Sequence, residues 1–245
     1  MTPIMRSVTE LQKIVDSAVI ARNVFDLRPD YLALLIAVDG ITPSPSDSIS
    51  ESLLQSAEAA AKDRLSTTVV TEIPAVKAWR DTYKSFGAKP KKYQSSIEAL
   101  TRRIPNGGLP RVNRLTDIYN GISVLHNLPL GGENLDAYTG APKLIRASGT
   151  EGFETKTGIE HPDVGEVVWC DDEGVTCRNW NWRQCVRTQL KEETTSALFI
   201  LDALAPMKRE DVEKAGEELV EALKKGGEGL VVAKRVLGKE DAGDV

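Results

Sequence analysis

A chain of 245 residues, 41% hydrophobic and 27% charged, can bury one large core, and no apolar run in it approaches the roughly 20 residues of a membrane-crossing helix. Its net charge of -5 excludes a protein that sticks to nucleic acid over its whole surface. Cys170, Cys177 and Cys185 lack paired zinc-ligand spacing, and with only His126 and His161 present a His-ligated zinc site and a Ser-His-Asp triad are disfavoured; no metal and no cofactor are expected.

Residues 1–19 lack a charged-then-apolar leader pattern, so a cytoplasmic location is the expectation. The apolar run from Tyr31 to Val38 predicts a buried strand stopped by a turn at Asp39-Gly40. SPSDS then supplies cap chemistry for a helix from Ser50 to Arg64, with Leu53, Leu54, Ala57, Ala60 and Ala61 at helical spacing. Three further helices are predicted: one starting at Pro74, one over Tyr93–Arg103 and one over Val112–His126. His126 falls near the end of the last, where packing or capping suits it.

Residues 128–204 read as strand-rich. EVVWCDDEGVTC gives two strands joined by a turn at Asp171–Gly174, and SALFILDAL a buried strand. RNWNWRQCVRT, between them, suits a strand edge or a loop lining a cleft. From Met207 an amphipathic helix with Val212, Leu219, Val220 and Leu223 on one stripe ends at Gly226-Gly227, and the tail KEDAGDV reads as frayed. The expected class is α+β, in two segments: residues 1–206, and a C-terminal helix and tail at 207–245.

Positive charge concentrates between Lys77 and Arg114, where Lys77, Arg80, Lys84, Lys89, Lys91, Lys92, Arg102, Arg103, Arg111 and Arg114 face only Asp81 and Glu98. Such a block attracts a polyanion. Trp79, Tyr83, Phe86 and Tyr93, interleaved with it, either stack on bases or point into the core.

Three blocks in order, FGAKPKKYQSSIEALTRR, LPRVNRLTDIYNGISVLHNLPLGGENLD and RNWNWRQCVRTQLKEETTSALFILDAL, resemble the B3/4 domain of the phenylalanyl-tRNA synthetase beta subunit in its free-standing form. The resemblance implies a mixed, mostly antiparallel sheet flanked by helices. It further implies a cleft for the aminoacylated 3′ end of a tRNA, with a synthetase as a further partner. In the synthetase the domain hydrolyses tyrosine wrongly attached to the phenylalanine tRNA. This chain has none of the aminoacylation modules, so editing by it implies action in trans.

Asn113, Asp117 and Asn120 occupy the family's polar positions on one helical face, either lining a cleft or pinning the helix, with Asp117 then paired to Arg102 or Arg103. Gly131, followed by Gly132, stands where the family carries its editing-site histidine, replacing an imidazole with bare backbone. Asp202 is nearest the family's hydroxyl-sensing glutamate. Thr194 and Thr195 match a threonine before that strand, and Arg183 and Gln184 replace a glycine-rich turn. Trp180 and Trp182 either stack on the terminal adenine or pack. Lys84, Lys89, Lys91, Lys92, Arg103 and Arg114 are the RNA-contact candidates. An aminoacyl-tRNA deacylase needing no catalytic side chain, a non-catalytic RNA-binding module and a small-molecule protein reusing the pocket all stay open.

Overall fold

The structure, a computed structural model, describes residues 5–227 and 229–244. In chain order it forms α1 (Val8–Ser17), β1 (Val19–Ala21), α2 (Arg22–Phe25), β2 (Leu32–Asp39), α3 (Ser48–Thr67), α4 (Pro74–Ser85), α5 (Ser96–Arg103) and α6 (Arg114–His126). Then come β3 (Leu130–Asn134), β4 (Lys143–Arg146), β5 (Phe153–Thr155), β6 (Gly158–Glu160), β7 (Val167–Cys170), β8 (Val175–Arg178), β9 (Arg183–Gln184) and β10 (Ser196–Ala203). The described chain closes with α7 (Arg209–Lys224), β11 (Val231–Leu237) and β12 (Ala242–Gly243). The class is α+β, as expected.

Two sheets carry it. One runs β11-β2-β10-β3, antiparallel throughout; the other runs β12-β1-β4-β7-β8-β5-β6, mixed, with β9 on β8. The apolar runs of β2 and β10 show no polar alternation because both faces of their sheet are covered. Alternate residues still divide cleanly. Ala33, Leu35, Ala37, Leu198 and Ile200 join one core with α1, α4 and the second sheet. Leu34, Ile36, Val38, Phe199 and Leu201 join another with α6 and α7.

Local chemistry sets the helix starts. Asp47 caps α3 by accepting from the amides of Ile49 and Ser50, Pro74 opens α4, and Asn113 caps α6 by accepting from Thr116 N. At the β7–β8 turn the Asp171 carboxylate accepts from the amides of Glu173 and Gly174. The Tyr93–Arg103 helix starts three residues later than expected, at Ser96, because Ser95 caps it.

The C-terminal segment does not stand apart. β11 pairs along β2 over seven residues, and α7 covers the second core. The described part of the tail is not frayed either: Ala242 and Gly243 pair in parallel with Ile20 and Ala21, and Val245 lies outside the described residues. Backbone hydrogen bonding outweighs the polar composition there.

Candidate functional site

Pairing β10 antiparallel to β3 sets Ile200 opposite Gly131 and Leu198 opposite Glu133. Residues directly opposite share a face, and period 2 keeps Gly131, Glu133, Ile200 and Asp202 on it together. Above that face lies a cavity of about 410 Å³. Its helical wall is Ser96, Ala99, Leu100 and Arg103 of α5 with Thr116, Tyr119 and Asn120 of α6. The second sheet and its β8–β9 turn close it through Trp169, Cys177, Trp180, Asn181, Trp182, Arg183 and Gln184.

Two carboxyls lie at its floor, Glu133 at 2% exposure and Asp202 at 3%. Asp202 accepts from the Tyr31 hydroxyl at 2.5 Å and from Asn181 Nδ2 at 3.2 Å. Asn181 is itself held by the Tyr83 hydroxyl at 2.9 Å. Burial pushes the Asp202 carboxyl up to about 7, and the bonds from Tyr31 and Asn181 offset only part of that rise. Burial likewise pushes Glu133 up to about 7, against the hydroxyls of Tyr138, Thr188 and Thr176 beside it. Glu133 Oε2 is buried with no hydrogen-bond partner.

The wall between the sheets is bent into place. Asn179 and Trp180 both take positive φ, 45° and 68°, a conformation that costs a tryptophan about 1–3 kcal/mol. Trp180 N donates to Val167 O at 2.6 Å, and its ring lies edge-on to Tyr31 and Trp79 at 4.8 and 5.4 Å. Trp180 therefore packs. Trp182 is half-buried, edge-on to Tyr93 at 4.6 Å, with the Arg183 guanidinium 5.9 Å from its ring. Arg183 is exposed at the mouth, 3.6 Å from Glu160. Gln184 Nε2 donates to Gly132 O at 2.8 Å.

Of the residues singled out in the sequence, the cavity gathers Arg103, Asn120, Gly131, Trp180, Trp182, Arg183, Gln184 and Asp202. A methyl group at Gly131 would meet only Gln184 Nε2 at 3.6 Å, so the position leaves open room; one at Gly132 would meet Leu190 and Phe199 at 2.8 Å, on the opposite face. Asn113 is committed to its cap. Asp117 accepts from Val112 N and the Ser46 hydroxyl, and Arg102 pairs with Glu98 instead. Thr195 sits before β10, its carbonyl accepting from Ile41 N. Seven residues of extended chain put it roughly 20 Å from Asp202. His126 ends α6 and pairs with Glu218 at 2.7 Å.

Six of the ten cations in the basic block are ion-paired, four of them with the block's own Asp81 and Glu98. Lys77 and Lys84 pair with Asp81, Arg80 and Arg102 with Glu98, Arg111 with Glu51 and Glu58, and Arg114 with Asp47. Lys89, Lys91, Lys92 and Arg103 are exposed, with no ion-pair partner among the described residues. Trp79 and Tyr83 are fully buried and unavailable for stacking.

Arg114 is no RNA contact. It is buried, donating from Nε to Asp47 at 2.8 Å and from Nη2 to Ala222 O at 2.9 Å, and so ties α3, α6 and α7 together. Arg114→Ala is expected to cost about 2–3 kcal/mol, kept modest by the solvation of Asp47. Thermal melting should fall by on the order of 5–10 °C. An unchanged melting temperature would free Arg114 from this role.

Sequence reasoning missed Glu133, Trp169, Asn181 and Tyr31. The signal for Glu133 was present: in a strand it must share a face with Gly131, two residues before it. Among the described residues no cluster of three or more His, Cys, Asp or Glu side chains is placed to hold a metal ion, and no helix is long and apolar enough to cross a membrane.

Among solved structures, the chain is similar to an N-terminal fragment of the phenylalanyl-tRNA synthetase beta subunit from Pyrococcus horikoshii, at 12% identity and a TM-score of 0.43. The match covers 89% of this chain and 49% of the fragment, so the chain spans about half that fragment's length. No curated protein sequence matches it. The family model of the B3/4 domain matches residues 78–226, which hold α5, α6, β3, β10 and every wall of the cavity. The chain belongs to the B3/4 domain family.

Proposed function

We propose that the protein binds the aminoacylated 3′ end of a tRNA and hydrolyses a wrongly attached amino acid in trans, in the cytoplasm. The observation that carries this reading is the cavity between the two sheets, with exposed cations at its mouth and hydrogen-bonding groups at its floor. Arg103 and Arg183 flank the mouth, and Lys92 lies 4.7 Å from the ring of Tyr93, which packs on Trp182. They suit a terminal phosphate or the ester itself.

An aminoacyl ester is already activated, so a placed water and donors toward the developing oxyanion suffice. Asn120 and Thr116 on the helical wall, with Arg183 opposite, offer that chemistry without a nucleophilic side chain. Gly131 widens the site where the family has an imidazole.

The test is hydrolysis of a panel of correctly and wrongly charged aminoacyl-tRNAs by the purified protein at catalytic concentration. Rapid loss of one mischarged species is expected, and Arg183→Ala should lower its rate at least tenfold while weakening tRNA binding less. A panel left intact removes the deacylase reading. The pairing of most of the basic block favours a second reading, recognition of a free amino-acid-like ligand, which predicts weak tRNA binding.

A further inference from the structure

We infer that the cavity selects a ligand whose inner end is an alkylammonium group, such as a basic amino acid or its aminoacyl ester, rather than an aromatic side chain. The inference rests on the reading above only in taking this cavity as the ligand site.

Three observations carry it. First, Glu133 and Asp202 share the floor, both essentially buried, and Glu133 Oε2 has no partner. A buried carboxylate oxygen without a donor, as at Glu133, is costly, and two buried carboxyls in one cavity repel each other when ionised. An ammonium with three N–H donors removes both costs; a single hydroxyl removes at most one.

Second, the wall around these carboxyls is aromatic. Trp169 and Trp180 line the cavity fully buried, and Trp182 and Tyr119 complete it. Aromatic faces beside carboxylates attract organic cations. The indole N–H groups of Trp169 and Trp180 are buried without a hydrogen-bond partner, and that of Trp169 approaches Asp202 without bonding geometry.

Third, the charge is polarised along the cavity. Arg103 and Arg183 are exposed at the mouth, while the carboxyls sit at the floor. A ligand with an anionic or ester end outward and a cationic end inward matches that order. Gly131 leaves room beside that path, since a methyl group there would meet only Gln184 Nε2 at 3.6 Å. An aromatic side chain would instead leave Glu133 Oε2 buried and unpaired.

The experiment is titration of the full chain, followed by tryptophan fluorescence and calorimetry, with lysine, ornithine, 1,5-diaminopentane, norleucine and tyrosine. Lysine or ornithine is expected to bind at least tenfold tighter than norleucine, which shares the α-ammonium but not the side-chain cation. Diaminopentane tells whether an ammonium suffices without a carboxylate. Glu133→Gln should abolish the preference, and Asp202→Asn should weaken it, in variants that still melt cooperatively.

Norleucine or tyrosine binding as tightly as lysine would overturn the inference. So would no binding of any cation, or a lysine preference untouched in Glu133→Gln. Hydrolysis of a neutral aminoacyl-tRNA without any cation preference would overturn this inference and keep the deacylase reading. Cation binding with an intact aminoacyl-tRNA panel would do the reverse.

Discussion

Trp180→Ala is expected to destabilise the protein by about 3–5 kcal/mol, lowering its melting temperature by on the order of 10 °C. The ring is completely buried at the meeting of Tyr31, Trp79 and Phe86, and its edge-on contacts add to the area it removes from water. Relief of the positive φ cannot return more than about 1 kcal/mol, because alanine is nearly as unfavourable there. Trp180→Gly should therefore be the milder variant of the two. Trp182→Ala, half-buried at the cavity wall, is expected to cost about 1 kcal/mol and to act on ligand binding instead. Urea denaturation of the three variants checks the ranking. A Trp180→Ala loss under 1 kcal/mol would mean that the aromatic cluster does not anchor the wall.

The second large effect has the opposite sign. Glu133→Gln is expected to stabilise the unliganded protein by about 2–3 kcal/mol at pH 8 and to change little at pH 5. Burial holds the folded Glu133 carboxyl at about 7, while its unfolded value is near 4.5. Between those values the folded chain keeps a proton that the unfolded chain has released. Stability therefore falls as pH rises from about 4.5 through about 7 and stays low above it; below about 4 both states are protonated and the penalty vanishes. Asp202, raised by burial to about 7 as well, adds to the same slope, and the two titrate as a coupled pair. Removing one charge also eases ionisation of the other. Urea midpoints at pH 5 and pH 8 decide it: an equal effect at both would show that Glu133 does not titrate in this window.

Much of the scaffold was legible before the structure. The β2 and β10 runs, the Asp47-capped α3 and the proline-led α4 each carried a local signal strong enough to stand alone. β11 carried a weaker one, because Lys234 and Arg235 interrupt its apolar residues. β12, two residues long, exists only through its pairing with β1. The site was half legible. Gly131, Arg183 and Asp202 lay in recognisable blocks, but which of their neighbours shared the cavity depended on strand register. The basic block misled in part for a similar reason: Glu51, Glu58 and Asp47 pair with Arg111 and Arg114 from about 50 to 70 positions away, beyond the reach of any window count.

The late pairing of β11 with β2 bears on how the chain is made. Synthesis must pass Leu237 before Leu32–Asp39 gains its second neighbour, close to two hundred residues after that strand was translated. Both edges of this long apolar strand are bare until β10 is made, and one stays bare until β11, a template for other chains. A fragment cut to the family-matched residues would lack both strands, and one ending at 226 would keep β2 without its cover. Expression of such pieces should yield aggregates, and nascent chains should lean on chaperones until β11 arrives.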